Sequence, residues 1–336
     1  NYLPSMNYES YLIEENKKDK KDRTIRETFC SGFFITSISE NPIIIENTEK
    51  YSAPCKHKSC SILKSMKPEI LMRYPLNDTE SLKINNFWGN FCFPFGIKNC
   101  YREDVGGPKE KIDDYLTVST NDKGERLYIM TYHFYLKKDN KEFDKKYPNN
   151  ALQLRVNELD EKVKEINPKK LDEKSSHDLY DYKICKEFQY STYVYIPYCL
   201  ALISKYPYKN QMKDGILCIY DIIKNQTDNN LELNELLMYL IHSIPIPPIN
   251  TRIIFPLPYL IDNKTKNIIL SPPNSRDINM LDNNYCDLVK IFRVKNIIRI
   301  FRLLLFEKKI LFIDSNYSRL INIMNSFLSL IYPFQW

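Results

Sequence analysis

At 336 residues the chain has room for one large domain or two ordinary ones, each with a sizeable core. It holds only 7 glycines and neither a Walker-type loop nor a dinucleotide fingerprint, which argues against nucleotide chemistry and a bound cofactor. The formal charge of +6, from 48 basic and 42 acidic residues spread along the chain, is a mild tilt toward anionic surfaces and not a nucleic-acid footprint.

Residues 1–27 are polar, with basic and acidic residues interleaved from Glu14 to Glu27, and read as a solvated tail. The chain opens on Asn1 and not methionine, so its true start and any signal peptide are expected to lie upstream. Phe29 to Ile38 (FCSGFFITSI) is the first strand-like run, aromatic and β-branched. Ser39 to Ser65 is loop-like and contains Cys55, His57 and Cys60. A closed zinc site needs four ligands, and no second pair is nearby, so ordinary loop thiols are the default. The nine cysteines have no regular framework and read as reduced thiols.

Pro68 to Pro75 (PEILMRYP) and Phe91 to Gly96 (FCFPFG) have the look of strands punctuated by proline. Tyr115 to Thr120 and Leu127 to Leu136 flank Asn121-Asp122-Lys123-Gly124, whose residues tolerate positive φ, and together predict a β-hairpin. Period-two alternation puts Leu127, Ile129, Thr131, His133 and Tyr135 on one face of the second strand, and Tyr128, Met130, Tyr132, Phe134 and Leu136 on the other. A strand apolar on both sides is expected at the centre of a sheet. His133, set among aromatics, reads as a hydrogen-bonded packing residue.

Residues 137–187 carry 13 lysines and arginines and 12 acids, and read as a charged, partly mobile linker. Within it Leu152, Val156, Leu159, Val163 and Ile166 recur at helical spacing until Pro168, predicting a helix of about four turns that docks on one lobe or, as the alternative, binds a partner helix. Tyr190 to Ser204 (YSTYVYIPYCLALIS) opens a second block, followed by helices over Lys213 to Ile223 and Leu231 to His242. The Pro245-Ile246-Pro247-Pro248 string then leads to a strand-like Arg252 to Phe255. Val294, Ile297, Ile298, Phe301, Leu304 and Leu305 fall on one helical face. Ile310 to Ile313 is a short continuous apolar run, as in a parallel strand covered on both sides. Asp314, Ser315 and Asn316 supply capping oxygens for a last helix through Leu320, Ile323, Met324, Phe327 and Ile331.

These segments, in this order, resemble the DENN family. LLLFEKKILFIDSNYSRL closing on LIYPFQW, YVYIPYCLALISKYPY, the Pro-x-Pro-Pro string, ILSPP and NMLD resemble successive steps of its central module. PEILMRYP, FCFPFG and the Asp-x-Gly-x-Arg-Leu-Tyr hairpin resemble its upstream module. The resemblance implies an α/β fold of two lobes: a longin-like upstream lobe with an antiparallel hairpin over 28–136, and a three-layer α/β central lobe with a largely parallel sheet over 188–336. The linker joins them. The family continues beyond Tyr-Pro-Phe-x-Trp into a further strand and a downstream module, so the sequence resembles a fragment truncated at its C-terminal end.

The resemblance further implies a guanine-nucleotide exchange factor for a Rab-type small GTPase in vesicle trafficking. Such a protein is not an enzyme in the covalent sense; it is cytoplasmic, or peripheral on vesicle or endosomal membranes. An adaptor that binds the GTPase without exchange, and a GTPase-activating relative relying on one exposed arginine such as Arg252, Arg276 or Arg302, are the alternatives. No serine-hydrolase elbow, zincin pair or Cys-x-x-Cys doublet occurs, and His57, His133, His177 and His242 lie in unlike contexts, so no catalytic or metal residue is assigned. The motifs are core and turn positions, so they identify no GTPase-contact residue. Apolar runs of four or five residues fall far short of the roughly 18 that span a bilayer.

Overall fold

The computed structural model describes residues 27–39, 42–45, 62–79, 82–102, 111–120, 124–166, 173–225, 230–248, 251–259, 264–271, 285–314, 316–331 and 334. Strands β1 (Gly32–Ser37), β2 (Glu69–Tyr74), β3 (Cys100–Arg102), β4 (Lys111–Thr120), β5 (Arg126–Asp139) and β6 (Tyr193–Ser204) form one sheet. Its order is β2-β1-β6-β5-β4, with β3 also paired to β6, and each of these pairings is antiparallel. Strand β6, from the second sequence block, therefore lies between β1 and β5 of the first. Residues 28–136 and 188–336 share one sheet.

The expected hairpin is present: β4 runs beside β5 from Thr120↔Arg126 to Lys111↔Phe134, and Gly124 has φ +81°. β5 is an interior strand next to the edge strand β4, with β6 and not β5 at the centre, and its two faces divide as its alternation requires. Met130, Tyr132 and Phe134 join Phe33, Ile35, Leu200 and Leu202 in the larger core. Leu127 and Ile129 join Phe34, Cys199, Ala201 and Ile203 beneath Trp88 and Cys92 on the other side. That second face is covered by the short helix α1 (Gly89–Cys92). Phe91–Gly96 is accordingly a helix end and turn, not the strand expected: Pro94 has no N–H for a ladder, and Gly96 takes φ +76°.

Between β5 and β6 the described part of the charged stretch is helical: α2 (Asn140–Lys146), α3 (Ala151–Glu165) and α4 (Glu173–Gln189). Asn150 caps α3 by accepting from the Leu152 and Gln153 amides, and Leu152, Val156 and Leu159 dock into the larger core. Arg155, largely covered, reaches both Glu158 (3.1 Å) and the buried Asp181 of α4 (3.2 Å), so one ion pair ties the two helices together between them. The same side of the sheet receives α5 (Lys209–Asn225) through Met212, Ile216 and Ile219, and α6 (Asn230–Met238) through Leu233, Leu236 and Leu237.

The rest of the second block is an antiparallel ribbon, β7 (Ile253–Tyr259) with β8 (Lys264–Leu270), and helices α7 (Tyr285–Ile291), α8 (Val294–Leu305) and α9 (Tyr317–Leu330). The C-terminal lobe was expected to be three-layered around a largely parallel sheet. Among the described residues no strand pairs in parallel, and Ile310–Ile313 joins no ladder. Ile310 and Phe312 pack on the Phe327 cluster, while Leu311 (83% exposed) and Ile313 (85%) point out. A continuous apolar run does not by itself distinguish a strand covered on both sides from one covered on a single side. Helix α8 divides likewise. Ile297, Phe301 and Leu304 face inward, whereas Val294 (58% exposed) and Ile298 (55%), expected on the same face, lie on a second, outward stripe.

Candidate functional site: the junction of the sheet and the C-terminal helices

Helix α9 lies along β4, the edge strand left by the hairpin. Its start is locally determined: the Asn316 side chain accepts the Arg319 amide, and Asp314 accepts the Asn316 amide while its carboxylate holds the Arg319 guanidinium at 2.6 Å. That cap delivers Ser318 to the strand. The Ser318 hydroxyl donates to the Asp114 carbonyl (2.7 Å), its amide donates to the Asp113 carboxylate (3.3 Å), and two turns on Asn325 donates to the Leu116 carbonyl (3.2 Å). Helix α5 completes the joint. Lys213 pairs with the Asp114 carboxylate at 2.8 Å, and Lys209 donates to the Asn322 side chain at 2.7 Å.

Tyr317 packs on Phe95 and Tyr115, and Tyr115 stacks on His133 with ring centres 5.2 Å apart. The Tyr115 hydroxyl donates to the carbonyls of Phe91 (2.8 Å) and Cys92 (3.0 Å), and His133 Nε2–H donates to the Cys92 carbonyl (2.7 Å). His133 is thus the packing residue expected. Burial lowers its pKa, against weaker opposing effects of the Cys92 bond and of Asp113 and Asp114, so the imidazole is neutral. The chain of contacts from α9 through Tyr317, Tyr115 and His133 to the end of α1 crosses the sheet edge without a gap.

The other histidines and arginines considered from sequence do not gather here. His177 is exposed on α4 with Nδ1 3.6 Å from Asp181, and His242 meets the Tyr74 hydroxyl at 2.8 Å. Arg252 and Arg302 are exposed at separate places, while Arg276, His57, Cys55 and Cys60 lie outside the described residues. Burial pushes the Cys185 thiol up to about 11 and raises those of Cys30 and Cys199 as well, so these thiols stay protonated. Among the described residues no three His, Cys, Asp or Glu groups could hold a metal ion, and no helix is long and apolar enough to cross a membrane. What the arrangement offers is a rigid joint and the surfaces on either side of it. The polar residues of the joint, Asp113, Asp114, Lys213 and Ser318, were missed from sequence; only the capping oxygens of 314–316 hinted that a helix begins there.

The fold is a mixed α/β assembly organised on an antiparallel sheet, and its second block matches a known family. Residues 195–336 match the DENN (AEX-3) domain model. Over that stretch, therefore, the chain carries a DENN domain. It is similar to "DENN domain and WD repeat-containing protein SCD1" of Arabidopsis thaliana, 26% identical over 143 residues, which are 42% of this chain and 12% of that protein. It is also similar to "DENN domain-containing protein 3" of Mus musculus, 23% identical over 146 residues, 42% of this chain and 11% of that protein. The matched stretch thus spans about an eighth of either relative's length. No solved structure gives a significant match.

Proposed function

We propose that this chain is part of a guanine-nucleotide exchange factor for a Rab-type small GTPase, acting in vesicle trafficking from the cytoplasm or from membranes to which it is recruited. The observation that carries the reading is the position of β6. It opens the DENN-matched stretch and is also the strand between β1 and β5, so the upstream motifs and the DENN domain are built into one sheet. In this reading the sheet is the longin-like part, and the α7–α9 layer, fixed to it along β4, is the beginning of the central part. The GTPase occupies the angle between them.

The reading needs no reactive group and no cofactor. An exchange factor binds the GTPase more tightly when nucleotide is absent than when GDP is present, and by linkage weakens GDP by the same factor. A thousandfold faster release asks for about 4 kcal/mol of preferential stabilisation, within reach of a shaped protein surface. The test is the affinity of the full-length protein for nucleotide-free and GDP-loaded forms of a panel of Rab GTPases. Marked preference for the nucleotide-free form of one member supports exchange. Equal affinity for both forms identifies an adaptor instead.

A further inference from the structure

A cavity of about 390 Å³ opens on the larger face of the sheet, between β5, β6 and helix α2. Its depth is mainly apolar: Ile35, Phe134, Ile196 and Leu200 of the sheet and Phe143 of α2 are all buried, the buried Tyr147 and Tyr198 add their rings and hydroxyls to the wall, and the half-buried Ile223 of α5 closes one side. Its lip is charged. Lys138, next but one after Leu136 on the same face of β5, is half-buried, and Lys146 and Glu142 of α2 are exposed.

The wall that α2 provides is fixed. Asp139 caps the helix by accepting the Lys141 and Glu142 amides (2.9 and 3.3 Å), and the buried Asn140 donates its side-chain amide to the carbonyls of Phe188 and Gln189 (3.3 Å each). The recess is therefore part of the fold rather than a gap between loose segments.

We propose that this recess binds a single alkyl chain ending in a carboxylate, a fatty-acid type ligand, with the chain in the apolar depth and the carboxylate at Lys138 and Lys146. The volume lies near the lower end of the roughly 300–1,000 Å³ usual for small-ligand sites, room for one chain and not for a two-tailed lipid. Lys138 and Lys146 line the lip from two different elements, β5 and α2, so a carboxylate there meets an ammonium group from each side. A phosphate monoester would set a second negative charge against Glu142. Desolvation, and then the charge of Lys146, bring Lys138 down to about 8, Glu142 opposing; an anion seated at the lip relieves that crowding.

The test is calorimetric titration of the full chain with sodium dodecanoate, dodecanol, dodecyltrimethylammonium and dodecyl phosphate. The proposal expects saturable binding of one dodecanoate, roughly tenfold or more tighter than dodecanol, with no binding of the cation. In the Lys138→Met, Lys146→Met double variant, which keeps the apolar stems, dodecanoate should weaken roughly tenfold and dodecanol should not weaken. Ile223→Trp, at the half-buried wall, should lower the affinity for both. Absence of saturable dodecanoate binding, equal affinity for dodecanoate and dodecanol, or indifference to the lysine variants overturns the proposal. Dodecyl phosphate binding more tightly than dodecanoate overturns the carboxylate assignment.

Discussion

The Ser318 hydroxyl donates to the Asp114 carbonyl at 2.7 Å, joining the first turn of α9 to strand β4 across 204 residues of sequence. The Asp114 side chain is held at the same time by Lys213 of α5. Ser318→Ala removes that bond and the longer one that the hydroxyl accepts from the Asn322 side chain (3.4 Å), and should cost about 1–2 kcal/mol in denaturant unfolding. Lys213→Ala should destabilise too, and because both partners meet at Asp114 the double variant should depart from the sum of the singles. Strict additivity would show that the two contacts do not form one joint.

His133 ties the fold to pH. Its folded pKa is lowered by burial, whereas in the unfolded chain it sits at about 6.5. At a pH between the two values the unfolded chain binds a proton that the folded protein does not, so stability is intact above about 6.5 and falls as the pH drops below it. His133→Phe removes the titrating group. It also removes the bond to the Cys92 carbonyl, which keeps the Tyr115 hydroxyl as donor. The variant should be less stable at pH 8 and should lose this part of the decline between pH 7 and pH 5. Parallel stability curves for the two proteins would refute the assignment.

Glu158 gives a second window, lower down. Desolvation opposes its charge, but hydrogen bonds from Lys162, Arg155 and Lys64, with the charge of Arg155, outweigh that and hold its pKa at about 2. Since the folded value lies below the unfolded one of about 4.3, the stabilisation is fully present above that pH and is lost as the pH falls toward 2. The gap in melting temperature between wild type and Glu158→Gln should be open at pH 6 and close on acidification below about 4.5. A gap independent of pH would assign the effect to packing.

Gly96 occupies φ +76°, and a Cβ there would approach the Met66 carbonyl oxygen and the Ser65 Cβ at 2.8 Å each. Gly96→Ala combines left-handed backbone strain with backbone collision, and should cost on the order of 2–3 kcal/mol, read from the denaturation midpoint. Gly124→Ala, also at positive φ but with open space around it, should cost only about 1 kcal/mol.

Much of the local structure was legible because local chemistry determines it. The turn residues before Arg126, the helical spacing from Leu152 to Val163 and the caps before α9 each act within a few residues. Long-range pairing is different. Nothing in YVYIPYCLALIS states that Phe33 will face Leu202 while Met130 flanks it on the other side. Charge density over 137–187 does not separate a solvated bridge from helices with charged outer faces. The apolar residues of α8 cover an arc wider than one buried face, and spacing alone does not say which part of that arc meets the core. The joint at Asp114 and Ser318 consists of common polar residues whose meaning comes only from their meeting, and contact surfaces for a partner leave no periodic mark at all.

The most direct measurement for the proposed function is release of labelled GDP from a panel of Rab GTPases, with the full-length protein in catalytic amounts. The account predicts strongly accelerated release, on the order of a hundredfold or more, from at least one member, and clearly slower release when Asp114→Lys and Ser318→Asp open the joint between β4 and α9. Tight binding of a Rab protein with GDP leaving at its intrinsic rate would contradict it.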